Sequence, residues 1–302
     1  MNDIIRRNVD GQIAEPSRLS KQSKKYIRAS ISPNTERAYK AQVKLWQEWC
    51  AKHGLEAFPA SVDHFVNWIS ERADAGQSIS TIKMAVAGLK FGHDLLGVTF
   101  DTRAPEIVKA LAGITRETAR ISKQAEPLRG TDVIDVIMTP ADAPIADIRD
   151  AAIVATGYLF ALRRSELVGL DFAKHGDGDG VLRFTANTIE LTLVKSKTGN
   201  GAPQVVTIPR AGNEDAVTAI QWWIEVGSIL QGSALFRRVY KSGNTIGGRL
   251  SAGTVGRIVK RIVGAEFSGH SLRVGFAVSA AEAGADLRSI AGVTRHKSME
   301  MP

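Results

Sequence analysis

Arginine suits the handling of a reacting phosphate, because its planar fork meets two oxygens at once and its charge is never lost. The chain sets two adjacent arginines at the end of an apolar run, Thr156-Gly-Tyr-Leu-Phe-Ala-Leu-Arg-Arg-Ser-Glu-Leu167, with Glu166 three residues after Arg163. A further arginine closes Gly269-His-Ser-Leu-Arg273, and His296 follows near the end. Cleaving a phosphodiester through a pentacoordinate transition state needs positive charge on the non-bridging oxygens and a proton for the departing oxygen. Arginine meets the first need, and lysine or histidine, whose protons can be moved, meets the second. Together these residues could grip one phosphate. No metal-ligand spacing occurs, and Cys50 is the only cysteine, so neither a metal, a cofactor nor a disulfide framework is expected.

Elements must bring those stretches together. Residues 1–24 form a polar arm, and no acid lies between Arg18 and Arg28, which predicts a mobile or DNA-ordered segment. Ser32-Pro33 reads as an N-cap with proline in the first helical position. Tyr39, Val43, Trp46, Trp49 and Cys50 then recur at helical spacing up to a stop at Gly54. Ser61 caps a second helix with Phe65, Val66, Ile69 and Ala73 on one face, ended by Gly76. Ser80 starts a third, with Ile82, Val86, Leu89 and His93 inward, Lys83 and Lys90 pointing away, and Gly97 as its end. A short fourth runs from Pro105 to Leu111. Four helices in roughly 80 residues make a small all-helical domain, residues 25–114, in which His53, His64 and His93 lie singly and suggest no site.

Thr115 to Glu126 is polar and aperiodic, which predicts a linker before a second domain over residues 127–302. Helices are predicted from Thr131 to Met138 and from Ala146 to Ala161. The period then changes, and Val181 to Thr185, Ile189 to Val194 and Gln204 to Pro209 read as a small antiparallel sheet. Helices resume at Asp215 to Ile229, Thr254 to Val263, Ser271 to Ala283 and Leu287 to Val293. The expected fold is mainly α, an N-terminal helical domain followed by a mostly helical domain with a small antiparallel sheet.

A net charge of +8 and a pI near 9.6 point to an anionic partner, with a merely soluble basic enzyme as the plainer reading. No run of about 18 apolar residues occurs, and the N-terminus lacks an apolar signal segment, so a cytoplasmic, nucleoid-associated protein is expected.

Ala161-Leu-Arg-Arg-Ser-Glu-Leu167 resembles the first arginine box of the tyrosine recombinases, the phage-integrase family; Gly269-His-Ser-Leu-Arg273 resembles its His-x-x-Arg box, and Thr294-Arg-His-Lys-Ser298 its final histidine segment. Ser32-Pro-Asn-Thr-Glu-Arg-Ala-Tyr39 and Ser80-Thr-Ile82 are similar to the helical core-binding domain that precedes the catalytic domain in that family. The chain looks Cre-like or Xer-like, with Leu235-Phe-Arg-Arg-Val-Tyr-Lys-Ser-Gly243 most similar to the former.

The resemblance implies site-specific cleavage and rejoining of DNA through a 3′-phosphotyrosyl intermediate, with a free 5′ hydroxyl and no cofactor. It makes Arg163 the first catalytic arginine, with Arg164 as its rival and Glu166 as its buttress. His270 and Arg273 form the second pair, and His296 donates to the scissile phosphate. Lys197, with Lys195 as its rival, protonates the leaving 5′ oxygen. DNA contacts are expected from Lys24, Lys25, Arg28 and Thr35, from Thr81, Lys83, Met84 and Lys90 on a helix in the major groove, and from Arg237 and Arg238. The implied partners are double-stranded DNA and further copies of the chain, a dimer per site and a tetrameric synapse.

The family's nucleophilic tyrosine lies about nine residues after the final histidine, which here falls past Pro302. The tyrosines of the chain, Tyr26, Tyr39, Tyr158 and Tyr240, sit outside that motif. The chain is therefore expected to be a catalytic domain truncated before its nucleophile, binding DNA without forming a covalent intermediate unless a partner donates a tyrosine in trans. The alternative is a non-catalytic, sequence-specific DNA-binding protein derived from a recombinase.

Overall fold

A computed structural model describes residues 20, 22–23, 25–26, 30–117, 126–194, 202–240 and 245–295. Lys24, Arg28, Lys195, Lys197 and His296 lie outside the described residues. The chain divides into two compact units, residues 1–122 and 123–302.

The first unit contains α1 (Pro33–Lys52), α2 (Val62–Asp74), α3 (Ile79–Leu96) and α4 (Pro105–Glu117). Ser32 caps α1 ahead of Pro33, its hydroxyl accepting the Thr35 N–H at 3.1 Å. Helix α3 starts before the expected Ser80: Ser78 is the residue whose hydroxyl reaches the amide three places on, that of Thr81. Helix α4 continues past Leu111 to Glu117, because Ile107, Ala110, Leu111 and Ile114 keep an apolar stripe against the core. Thr115, expected in the linker, is helical and returns its hydroxyl to the Leu111 carbonyl at 2.6 Å. The core is aromatic, with the rings of Trp46, Phe65 and Trp68 meeting at centroid separations of 5.3 to 5.8 Å. His93 belongs to it. Its Nε2 accepts the Ala60 N–H at 3.0 Å and its Nδ1 lies 2.8 Å from the Leu89 carbonyl, while burial holds its pKa below the ordinary value.

The second unit contains α5 (Gly130–Ile137), α6 (Ile145–Leu159), α7 (Arg164–Val168), β1 (Leu170–Phe172), β2 (Gly180–Phe184), β3 (Thr188–Leu193), β4 (Gln204–Pro209), α8 (Glu214–Val226), β5 (Arg237–Val239), β6 (Thr245–Arg249), α9 (Ala252–Val263), α10 (Ser271–Glu282) and α11 (Leu287–Thr294). Helix α6 is buried on nearly every side and packs along α8. The sheet runs β1-β2-β3-β4 and is mixed rather than purely antiparallel, because β1 lies parallel to β2. A three-residue strand shows too little alternation to be read in advance. The hairpin of β5 and β6 was likewise unexpected, since Gly247 and Gly248 mimic a loop. In the main sheet Leu182 faces Leu191, and Ile189, Leu191 and Leu193 alternate inward onto the core. Among the described residues no helix is long and apolar enough to cross a membrane.

Two local features bear on the site. The apolar run from Thr156 does not stay helical to Leu167: α6 ends at Leu159, and Ala161 takes a φ of 47° before the chain restarts in α7. Phe160, Ala161 and Leu162 are all buried, so the turn is forced by packing on both sides of it. Residues Leu128 to Gly130 form a strap along α10. The Leu128 N–H donates to the Ser271 carbonyl at 3.2 Å, the Gly130 N–H to Ser279 Oγ at 3.2 Å, and Arg129 pairs with Glu282 at 2.5 Å. Gly275 permits the close approach, since a Cβ there would come within 1.8 Å of the Leu128 carbonyl oxygen.

Candidate active site

Three helix ends meet around Glu166: the start of α7, the first turn of α10 and the end of α11. Arg163 is the residue before α7, in extended conformation, so it does not share a helix face with Glu166. The three-residue interval works as a cap instead. The Arg163 N–H donates to Glu166 Oε2 at 2.9 Å, and its Nη1 donates to Oε1 at 2.7 Å.

Arg295 approaches the same carboxylate from the end of α11, its Nη2 donating to Glu166 Oε2 at 2.9 Å. The rest of its guanidinium donates to the carbonyls of Phe160 at 3.1 Å, Ala161 at 3.2 Å and Val293 at 2.9 Å. These bonds hold Arg295 at a φ of 56°, a left-handed conformation that costs a non-glycine residue about 1–2 kcal/mol. Arg273, 2% exposed, donates Nη1 to the same Ala161 carbonyl at 2.8 Å. Its Nη2 is buried and meets no acceptor among the described residues. Two of the four left-handed non-glycine residues among the described ones, Ala161 and Arg295, thus lie in this one cluster, and strain of this kind is commonly stored at functional sites.

Charge explains the titration of the group. Burial alone would raise the Glu166 carboxyl, but the Arg163 N–H, the charge of Arg295 and the Arg163 fork together hold it below the usual carboxylate range. Burial, then Arg163 and Arg295, push Arg273 down to about 10. Burial also lowers Arg295, against the pull of Glu166. His270 precedes α10; burial first, then the charges of Arg273, Arg163 and Arg164, keep its pKa below the ordinary value. Two arginines pair with one carboxylate, and Arg273 stands close enough to feel the charge of all three. The surplus positive charge and the unused donor of Arg273 suit a phosphate oxygen.

The structure thus brings Arg163, Glu166, His270 and Arg273 together, and adds Arg295. The sequence offered one signal for Arg295, its place beside His296, but residue type alone does not separate a buried ion pair from a surface cation. Among the other candidates, Lys25, Lys83 and Met84 are exposed and Thr81 is half-buried. Thr35 shares a hydrogen bond with Ser32 at 2.8 Å, and Lys90 is paired with Asp94 at 3.0 Å. Arg237 and Arg238 lie on β5, facing Gly247 and Gly248 across the hairpin. The Tyr158 hydroxyl is hydrogen-bonded with Ser279, and burial raises its pKa. Among the described residues no group of three or more His, Cys, Asp or Glu could hold a metal ion.

Residues 130–302 match the model of the phage integrase family, and residues 25–91 match that of the phage integrase N-terminal SAM-like domain. An integrase/recombinase XerD homolog from Selenomonas ruminantium is 29% identical over 97% of this chain and 86% of its own length. The tyrosine recombinase XerC of Syntrophus aciditrophicus is 30% identical over 60% of this chain and 56% of its own. Among solved structures, the XerH site-specific recombinase bound to palindromic difH substrate in a post-cleavage complex superposes with a TM-score of 0.56 at 14% identity, over 87% of this chain and 73% of that one. The Tn1549 transposon integrase in complex with circular intermediate DNA gives 0.55 at 18% identity, over 92% and 90%. At such identities the structural likeness is one of fold. The two relatives named by sequence are a XerD homolog and a XerC.

Proposed function

Because the chain belongs to the phage integrase family, whose members are tyrosine-type recombinases, we propose that the cluster around Glu166 is the phosphate site of a site-specific DNA strand exchange. The observation that carries this reading is the buried Arg273 Nη2, aimed into a cluster of surplus positive charge without a protein acceptor. Arg163 and Arg273 hold the non-bridging oxygens of the scissile phosphate. A tyrosine oxygen attacks phosphorus, the bond to the 5′ oxygen breaks, and that oxygen takes a proton delivered by Lys197. The 3′ phosphate is left on the tyrosine, and attack by a 5′ hydroxyl reverses the step without a cofactor. His270 and His296 donate hydrogen bonds to the phosphate. Lys25, Thr35, Thr81, Lys83, Met84, Lys90, Arg237 and Arg238, with Lys24 and Arg28, contact the duplex, and copies of the chain assemble on it.

None of the four tyrosines is proposed as the attacker. Tyr158 is committed to Ser279, and Tyr26 and Tyr240 are exposed outside the cluster. A non-catalytic, DNA-binding role is the second reading, and the committed Tyr158 hydroxyl favours it. The test begins with a duplex selected by the chain from a random-sequence pool and offered with a nick that traps a covalent product. Salt-sensitive binding is expected, with adduct formed only when a family member carrying its tyrosine is added. Failure to retain any duplex overturns the DNA reading, and an adduct with the 302-residue chain alone overturns the assignment of the attacker.

A further inference from the structure

Arg164 is not used by that mechanism, yet its placement is specific. Its side chain lies in a slot floored by two glycines. A Cβ on Gly269 would fall 2.4 Å from Arg164 Cδ and 2.5 Å from Cγ, and one on Gly256 would fall 3.2 Å from Nη1. The slot is therefore shaped by the absence of side chains on α9 and on the residue before His270. Arg164 is nonetheless exposed, and among the described residues it forms no ion pair and no hydrogen bond. This separates it from Arg149, Arg249 and Arg261, each of which meets a carboxylate. Two further exposed cations, Arg257 and Lys260, stand on α9 beyond Gly256. An arginine held by its stem, with its fork open and like charges around it, is arranged to receive an anion.

We propose that Arg164 binds the backbone phosphate next to the scissile one on the same strand, and so fixes the register in which the scissile phosphate enters between Arg163 and Arg273. The proposal rests on the DNA reading given above. As a neighbour in sequence of Arg163, Arg164 is placed to reach the adjoining linkage, with its stem seated against Gly269 and its fork beside Gly256. Its charge also bears on His270.

The experiment uses the full chain and the selected duplex, with each phosphate in turn replaced by a neutral methylphosphonate. For the parent, neutralising either of two adjacent linkages should weaken binding roughly tenfold. For Arg164→Ala the sensitivity should vanish at one linkage and persist at the other, and the slope of log affinity against log salt should fall by about 0.9, one counterion's worth. Gly269→Ala keeps every charge but fills the slot, and should lose the same single linkage; Arg164→Lys should keep most of it. An NMR titration should show the His270 pKa moving up in Arg164→Ala, a shift that repacking alone does not demand. If the variant weakens binding equally with every neutralised duplex, or leaves the parent's pattern intact, the proposal is overturned while the DNA reading stands. If the parent retains no duplex, both fall.

Discussion

Glu166 and Asp150 are both buried carboxylates held by one arginine close by in sequence and one from a distant helix, and they behave oppositely. Asp150, 1% exposed, pairs with Arg149 at 2.6 Å and with Arg261, which also reaches Asp147 at 3.2 Å. Two arginines there meet two carboxylates, and burial prevails over both cations to push the Asp150 carboxyl up. At Glu166 two arginines, Arg163 and Arg295, meet one carboxylate and hold it down, with Arg273 close by as a further charge. The balanced cluster joins α9 to α6 and is complete in itself. The other keeps a surplus of positive charge and an unused buried donor on Arg273, and the count of fixed charges distinguishes the two more sharply than burial does.

The largest expected effect comes from removing the lone carboxylate. Glu166→Gln leaves Arg163, Arg273 and Arg295 facing one another and should cost about 3–5 kcal/mol in urea unfolding. Asp150→Asn should cost clearly less, because Arg261 keeps Asp147 and the aspartate is already biased toward its neutral form. Equal losses would erase the contrast. Next in size is Arg273→Met. Keeping Arg273 charged at a pKa of about 10 against an ordinary 12.5 opposes folding by on the order of 3 kcal/mol, offset in part by its bond to Ala161. The variant should therefore unfold no earlier than the parent in a thermal melt while losing affinity for the selected duplex. Arg149→Met, which strips Asp150 of a partner, should melt earlier.

Acid gives a smaller effect of opposite sign at the two clusters. The Glu166 pKa is depressed on folding, so its contribution is present above the unfolded value, about 4.3, and is lost as pH falls through the folded value. The Asp150 pKa is raised, so its contribution is present at low pH and is lost as pH rises through the folded value. Unfolding free energies measured from pH 6 down to pH 3 should show an acid loss of about 1 kcal/mol that Glu166→Gln flattens and Asp150→Asn steepens. The smallest effect is that of sulfate, which at about five times its dissociation constant should add about 1 kcal/mol of stability to the parent. Arg163→Ala should abolish that gain and Arg261→Ala should keep it.

The helical pattern of the first unit could be read almost directly, because Trp46, Phe65, Ile69, Ile82 and Leu89 recur at the spacing of a buried stripe. Its misreadings were of boundaries, where Ser78 and Ser80 compete as caps and an apolar stripe outlasts a polar-looking sequence. In the second unit, Arg163, Glu166, His270 and Arg273 were visible as types at intervals. Their geometry was not, since Ala161 breaks the helix through long-range bonds from Arg273 and Arg295 that no local pattern encodes. The buried pair of Asp171 and Arg249, 2.6 Å apart and 78 residues distant in sequence, was invisible for the same reason.

The strap from Leu128 to Gly130 lies directly after the segment that enters the second unit, and it grips α10 at Ser271, Gly275, Ser279 and Glu282. Gly275 is two residues from Arg273, and the contact there is too close for strap and helix to slide past one another. The strap therefore acts as a clamp that fixes one face of α10 in place, so the backbone that presents Arg273 is held from outside its own helix as well as from within it.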